Sequence, residues 1–388
     1  MIRAEARFLD SIAQVDAPSW NSLIRDGQPF LRHEFLLALE ESGCAVPRTG
    51  WTARHVVIDD EAGSPIGAMP LFRKGHSRGE FVFDFSWANA YAQHGLRYYP
   101  KLLSAIPFTP VRGPRLLIRP GVDAEAATGI LIKAAIDYAR SEQLSSWHVL
   151  FPSDDNAECL RSAGLILRSD CQFHWYNHGY ESFDAFLATF TAEKRKKAKR
   201  ERRRVAEAGI EFDTLHGGDM NDALWSTVYA FYADTFYRHG HEPYLNLHFF
   251  KLLAVSMPER LMLKVARIGA ERIAVAIFFV GDDALFGRYW GAGGSYHSLH
   301  FETCYYQGIE YCIDKGLGRF EPGTQGEHKV PRGFVPTLMS SAHFVADQRF
   351  AAAIRDFAAR EARGVAHYAA AVSEHVPYHR APDEELRL

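Results

Sequence analysis

The chain has 388 residues, 47% hydrophobic and 23% charged, with a net charge of only −3. That composition excludes a disordered, collagen-like or disulfide-scaffolded protein and suits two ordinary α/β domains. The longest apolar run, Ile273 to Val280, is eight residues, far short of the roughly 20 a membrane-spanning helix needs. Met1–Arg7 has no apolar core, so no secretory signal is expected. The cysteines at 44, 159, 171, 304 and 312 include no CxxC spacing. They are read as reduced thiols of a cytoplasmic protein, with no metal site.

The first half reads as a strand at Ala6–Asp10, helices at Ala17–Arg25 and Glu34–Ser42, and strands at Arg54–Asp59 and Ile66–Phe72 about a Gly63-Ser64-Pro65 turn. A third strand is expected at Glu80–Phe85. It is followed by an amphipathic helix at Ala124–Arg140, a buried strand at Trp147–Phe151, a helix at 154–163 and a strand at 166–175. The second half repeats the order. A strand at Ile210–Leu215 precedes helices at 220–238 and 247–255, then strands at 261–268, 272–280 and 284–290. A helix over 302–315, a short strand at 318–321, a Gly/Pro-rich segment, a strand near 338–345 and an Ala-rich helix at 348–373 complete it.

Each half therefore gives strand, two helices, an antiparallel meander, helix, strand. That is the order of the GNAT acyltransferase fold, and two such halves in tandem resemble the FemAB-type transferases. The organisation expected is an N-terminal GNAT-like unit over 1–180, a basic helical connector over 181–208 and a C-terminal unit over 209–388. The wording of the chain is similar to a bacterial family of FemAB-like predicted N-acyltransferases concerned with peptidoglycan biosynthesis or recognition. The segments that carry the resemblance are Trp290–Gly294, Leu299–Glu310, Gln325–Lys329 with Arg332-Gly333-Phe334, Phe83–Ala88 and Pro107–Leu117. It implies amide-forming acyl transfer, with acyl-CoA or aminoacyl-tRNA as co-substrate. The 181–208 region has room for about two helices rather than a long coiled-coil arm, which favours a thioester donor over tRNA.

Amide formation requires a deprotonated amine, a polarised carbonyl and a protonated leaving group. Glu327, His328, Lys329 and Arg332 offer such groups within six residues. Glu327 or His328 is read as the base, with Glu302 a further catalytic candidate or a helix cap. Gln325, Lys329 and Arg332 are read as holding an acidic or phosphate group of the substrate. Arg288, Tyr289 and Tyr305 should border the cleft, and at most one of Tyr305 and Tyr306 should reach it. In the first half Asp84, Trp87, His94 and Arg112 are candidates for acceptor recognition, while His343 reads as a lone structural histidine. Gly291, Gly293 and Gly294, between strand and helix, could cradle donor phosphates with backbone N–H groups.

Residues 194–204 hold nine bases and one acid, a local +8 that leaves −11 for the remaining residues. On a helical wheel Phe190, Ala198, Val205 and Ala208 form a narrow stripe with Lys194 and Glu201. The helix should therefore dock by one thin face and stand mostly in water. It is either a solvated connector or a site for a polyanion, such as tRNA, a nucleotide-linked precursor or an anionic membrane surface. The competing functional class is a non-catalytic module that binds a peptidoglycan precursor, nucleic acid or membrane.

Overall fold

The structure is a computed structural model that describes residues 5–25, 27–324 and 326–379. It is a mixed α/β protein of two GNAT-like compact units. Unit 1 is Met1–Cys171, Glu242–Arg260 and Leu338–Ala366, and unit 2 is Gln172–His241, Leu261–Thr337 and His367–Leu388. Residues 242–260 and 338–366 of the second half thus fold with the first unit. Among the described residues no helix is long and apolar enough to cross a membrane.

Unit 1 has two sheets. One places Ala6–Leu9, His55–Asp59, Pro65–Met69 and Leu117–Ile118 side by side, all antiparallel. In the other, Ser341–Val345 pairs antiparallel with Ser146–Leu150, which runs parallel to Lys101–Ser104; Phe72–Lys74 and Trp51–Ala53 follow antiparallel. The helix Ala124–Ser141 starts where the Asp123 side chain accepts from the Ala126 N–H. It buries Ala127, Leu131 and Ala135 against Trp147, Val149, Val56 and Leu102.

The strand expected at Glu80–Phe85 is absent. Phe81 has φ 63° and a helix begins at Phe85. The alternation that mimics a strand is nonetheless present in burial: Glu80, Val82 and Asp84 face inward while Phe83 and Phe85 are exposed. Glu80 and Asp84 are held inward by ion pairing to Lys101 rather than by a ladder of backbone hydrogen bonds. Asp84 stands before the Phe85–Gln93 helix without capping it, because its carboxylate is engaged by Lys101 and the Tyr98 hydroxyl.

Unit 2 is built on one sheet. Ile210–His216, Leu261–Ile268, Glu271–Val280 and Ala284–Ala292 form an antiparallel meander. Arg319–Glu321 then adds parallel to Ala284–Phe286, and Trp175–Tyr176 pairs antiparallel with Arg319–Phe320. Trp175, Phe186, Phe278, Leu285, Phe320 and Phe334 fill the core beneath it. The helix Ala192–Glu207, rich in the strong helix formers Ala, Lys, Arg and Glu, buries only Ala198, Glu201 and Val205, the thin face that the wheel anticipates.

Candidate active site

The parallel pairing of unit 2 covers three residues, ending at Phe286–Glu321. Ala284–Ala292 continues beyond it, where no strand among the described residues pairs with that edge, and the register shifts between Ile277 and Phe278, so that Arg288 is the extra residue of a bulge. Part of the extension is held by the helix Asp222–Arg238: Thr235 Oγ1 donates to Trp290 O at 2.8 Å and Arg238 to Ala292 O at 3.4 Å. Gly291 is required here, since a Cβ would stand 2.0 Å from Phe231 O of that helix. The Gly293 N–H donates to Ile273 O at 2.9 Å, and Gly294 lies against the Tyr296 ring. None of these three glycines has a positive φ.

A single helical run then begins at Leu299. Glu302 to Tyr306 form a π turn before the α-helix Gln307–Lys315, a departure often found at functional sites. The run starts three residues before the expected boundary, so Glu302 is no N-terminal residue; it is buried inside the turn. Its carboxylate meets Arg202 at 3.0 Å and accepts from Gln307 Nε2 at 2.9 Å. Burial raises the Glu302 pKa against the opposing pull of Arg202. Both tyrosines join the cluster, where the sequence reading allowed one. The wider π turn leaves adjacent side chains closer in direction, so Tyr305 reaches His328 while the Tyr306 hydroxyl donates to Glu201 Oε2 at 2.7 Å.

After Glu321 the chain turns through Gly323 and Gly326. Gly326 has φ 113°, and a Cβ on it would lie 2.2 Å from His328 Cε1, so only glycine admits the imidazole. The Tyr305 hydroxyl and His328 Nε2 are 2.7 Å apart. Burial raises the Tyr305 pKa strongly, so the phenol keeps its proton. Burial, then Lys329 and Arg332, lower the His328 pKa, and burial pulls neighbouring His300 down to about 4. Both rings are therefore neutral at pH 7.

Lys329 is 2% exposed, and its Nζ donates to Gly323 O at 2.6 Å. Burial lowers its pKa to about 7. Arg332 lies over the Phe301 ring, 3.4 Å from its centroid, and meets Glu201 Oε1 at 2.7 Å. Glu327, by contrast, is exposed and accepts from the Tyr368 hydroxyl at 2.8 Å. Arg288 stacks 5.4 Å from the Tyr289 centroid, and Tyr289 packs on Tyr232. Gln325 lies outside the described residues.

His328, Lys329, Arg332, Tyr305 and Glu302 thus come together, while Glu327 turns away from them. Sequence reasoning missed Glu201 and Arg202, consecutive residues of the basic helix that turn inward. Arg202 also reaches Glu310 at 2.8 Å. The available signal was Glu201, the one acid in the basic run, lying on the apolar stripe.

In unit 1, Asp84, Trp87 and their neighbours form a second buried cluster. Lys101 lies 2.8 Å from Glu80 and also pairs with Asp84, and Lys74 stands 4.0 Å from Glu80. Burial opposes charge on Asp84, but Lys101 and His148 outweigh it and hold the carboxyl well below its usual range. Burial pushes Glu80 up and Lys74 down, each to about 7. Trp87 packs edge-on against His343, 4.9 Å between centroids. His343 is not alone: its Nδ1 lies 2.6 Å from His148 Nδ1, and both rings are buried. His94 bonds to Ala90 O at the end of its helix, and Arg112 pairs with Asp154; neither joins the Asp84 cluster.

The sequence matches the FemAB-like family, described as peptidoglycan biosynthesis/recognition, over residues 11–380. No curated protein matches it. Among solved structures, FemX is similar at a TM-score of 0.53 and 11% identity, covering 90% of this chain and 100% of that one. The C-terminal domain of a putative lysylphosphatidylglycerol synthetase from Agrobacterium fabrum gives a TM-score of 0.51 at 10% identity, covering 89% and 96%. A tandem GNAT protein from the clavulanic acid biosynthesis pathway gives 0.47 at 11% identity, covering 89% and 99%.

Proposed function

Because the chain belongs to the FemAB-like family, we propose that it is a cytoplasmic N-acyltransferase that moves an acyl or aminoacyl group from an activated donor to an amine. The observation that carries this reading is the Ala284–Ala292 strand, which outruns its three-residue parallel partner beside a neutral His328–Tyr305 pair. A donor can use backbone groups of the open strand edge, as an added strand does.

The amine nitrogen attacks the donor carbonyl, a C–N bond forms and the C–S or C–O bond breaks. The amine must shed a proton, and His328 is the base we assign. Its lowered pKa keeps it neutral, and a Tyr305 hydroxyl that accepts from Nε2–H leaves the Nδ1 lone pair to take the amine proton, which then passes to the departing thiolate or alkoxide. Glu327, engaged by the Tyr368 hydroxyl rather than by Tyr305, is set aside as the base. Arg332 and Lys329 are buried and bonded within the protein, so their role is to shape the segment that carries His328. Glu302 anchors the π turn through Arg202. Arg288, Tyr289 and Gln325 remain our candidates for substrate contacts, with Asp84 and Trp87 shaping unit 1.

We favour an acyl-CoA or similar thioester as donor. The connector contains only the helices Phe183–Ala188 and Ala192–Glu207, with no long arm for tRNA. The acceptor is an amine of a peptidoglycan-precursor-like molecule. A non-catalytic recognition module is the second reading, favoured by one observation: the Gly293 N–H is spent on Ile273 O and unavailable to a donor phosphate.

The test is mass-spectrometric detection of amide product from a panel of acyl-CoAs and alanyl-tRNA with amine-bearing precursor peptides. Transfer by the intact protein that disappears in His328→Ala is expected. Absence of product with every donor, or full activity in the variant, would reject the assignment.

A further inference from the structure

The outward face of the helix Ala192–Glu207 carries chemistry that the transfer reading does not use. Arg195, Lys196, Lys199, Arg200 and Arg203, with Ala192, line a groove of about 620 Å³. These cations stand at positions i and i+4 of one another: Arg195 and Lys199, Lys196 and Arg200, Lys199 and Arg203. Like charges at that spacing repel along a helix. Two of the five have carboxylate partners, Lys199 with Asp184 at 2.9 Å and Arg203 with Glu207 at 3.5 Å, and all four side chains are more than half exposed. Such pairs neutralise little. The stripe from Arg195 to Arg203 spans nine residues, about 12 Å at 1.5 Å per step, and contains no aromatic or amide side chain to stack on a base or read its edge.

We propose that this groove binds a small molecule carrying a chain of phosphates. All the lining residues lie on one helix face, so the short row of cations rather than enclosure selects the ligand: a run of phosphates about 12 Å long matches it, whereas a single-stranded nucleic acid would want stacking partners. Guanidinium groups on successive turns can each take phosphate oxygens in paired hydrogen bonds. The bound charge would also relieve the repulsion within the stripe. The same helix sends Glu201 and Arg202 inward to Arg332 and Glu302, so a ligand that steadies it steadies those residues too. The proposal does not depend on the transfer reading.

The test is calorimetric titration of the full chain with inorganic tripolyphosphate and with adenosine diphosphate at about 0.1 M ionic strength. The same titrations are run on Lys196→Gln/Arg200→Gln. Both residues are exposed, so this variant should fold, and its melting curve checks that. Saturable one-site binding of either probe, weakened about a hundredfold in the variant (roughly tenfold for each charge-assisted contact), is the expected result. The proposal falls if neither probe saturates or if the variant binds equally well. It also falls if binding is confined to parallel arms with a short duplex RNA or phosphatidylserine-containing vesicles.

Discussion

Lys329→Met should make the protein more stable, and more so in acid than in alkali. The wild-type ammonium is 2% exposed, and among the described residues its one hydrogen-bond acceptor is the Gly323 carbonyl at 2.6 Å. Burial depresses its pKa from 10.5 to about 7. At about 1.4 kcal/mol per pKa unit, holding the proton inside the fold costs on the order of 5 kcal/mol. The lost hydrogen bond offsets about 1 kcal/mol, and methionine fills a similar volume without charge. The folded-state pKa lies below the unfolded one, so between pH 7 and 10.5 the unfolded chain binds the extra proton. Stability contributed by this position therefore rises with pH through that window, and the full cost is present below it. Urea unfolding of both proteins should give a variant advantage of roughly 3–4 kcal/mol near pH 6 that shrinks toward zero near pH 10. A variant less stable than wild type at pH 6, or an advantage that does not change with pH, would refute the claim that Lys329 is a buried charge without a carboxylate partner.

Four further outcomes follow from the same geometry. Glu201→Gln strips the counter-ion from buried Arg332 and should cost about 3–5 kcal/mol; adding Arg332→Met should recover most of it, as denaturant titration of the two variants would reveal. The rate of transfer should fall on acidification through the lowered His328 pKa, so its acid limb lies below pH 6.5; a pH–rate profile whose limb lies above that value contradicts His328 as base. Gly291→Ala drives a methyl group into the Phe231 carbonyl and should destabilise by at least 1–3 kcal/mol, measured as a drop in melting temperature. Asp84→Asn leaves Lys101 with Glu80 alone and should cost about 3 kcal/mol or more, whereas exposed His94→Ala should change stability by less than about 0.5 kcal/mol.

The order of elements was readable because the long strands and helices carry undiluted periodicity. The meander 261–292 and the helix Ala124–Ser141 lie within a residue or two of their expected bounds. Glu80–Phe85 was misread for a physical reason: period-two burial arises from a strand or, as here, from two carboxylates turned toward one buried lysine, and a pattern does not distinguish them. The three-residue strands Trp51–Ala53 and Phe72–Lys74 are too short to show a period. At the site, the dense polar run marked the right segment, but which side chains point inward depends on the backbone. Glu327 and His328 are both exposed, and the hydroxyl each reaches, Tyr368 or Tyr305, is what separates them. The partners of Glu302 and Arg332 lie 100 and 131 residues away. Arg202 therefore looked like a member of a solvated basic run until the fold turned it inward, while Glu201, already on the docking stripe, lacked only its partner.

The central claim, that the open edge of the Ala284–Ala292 strand and the His328 segment form the reaction site, is tested most directly by hydrogen exchange with and without the donor that supports transfer. The account predicts slowed exchange of amides in 287–293 and 326–330 when donor is added, with the rest of unit 2 little changed. A donor that is turned over while protecting neither segment would contradict it.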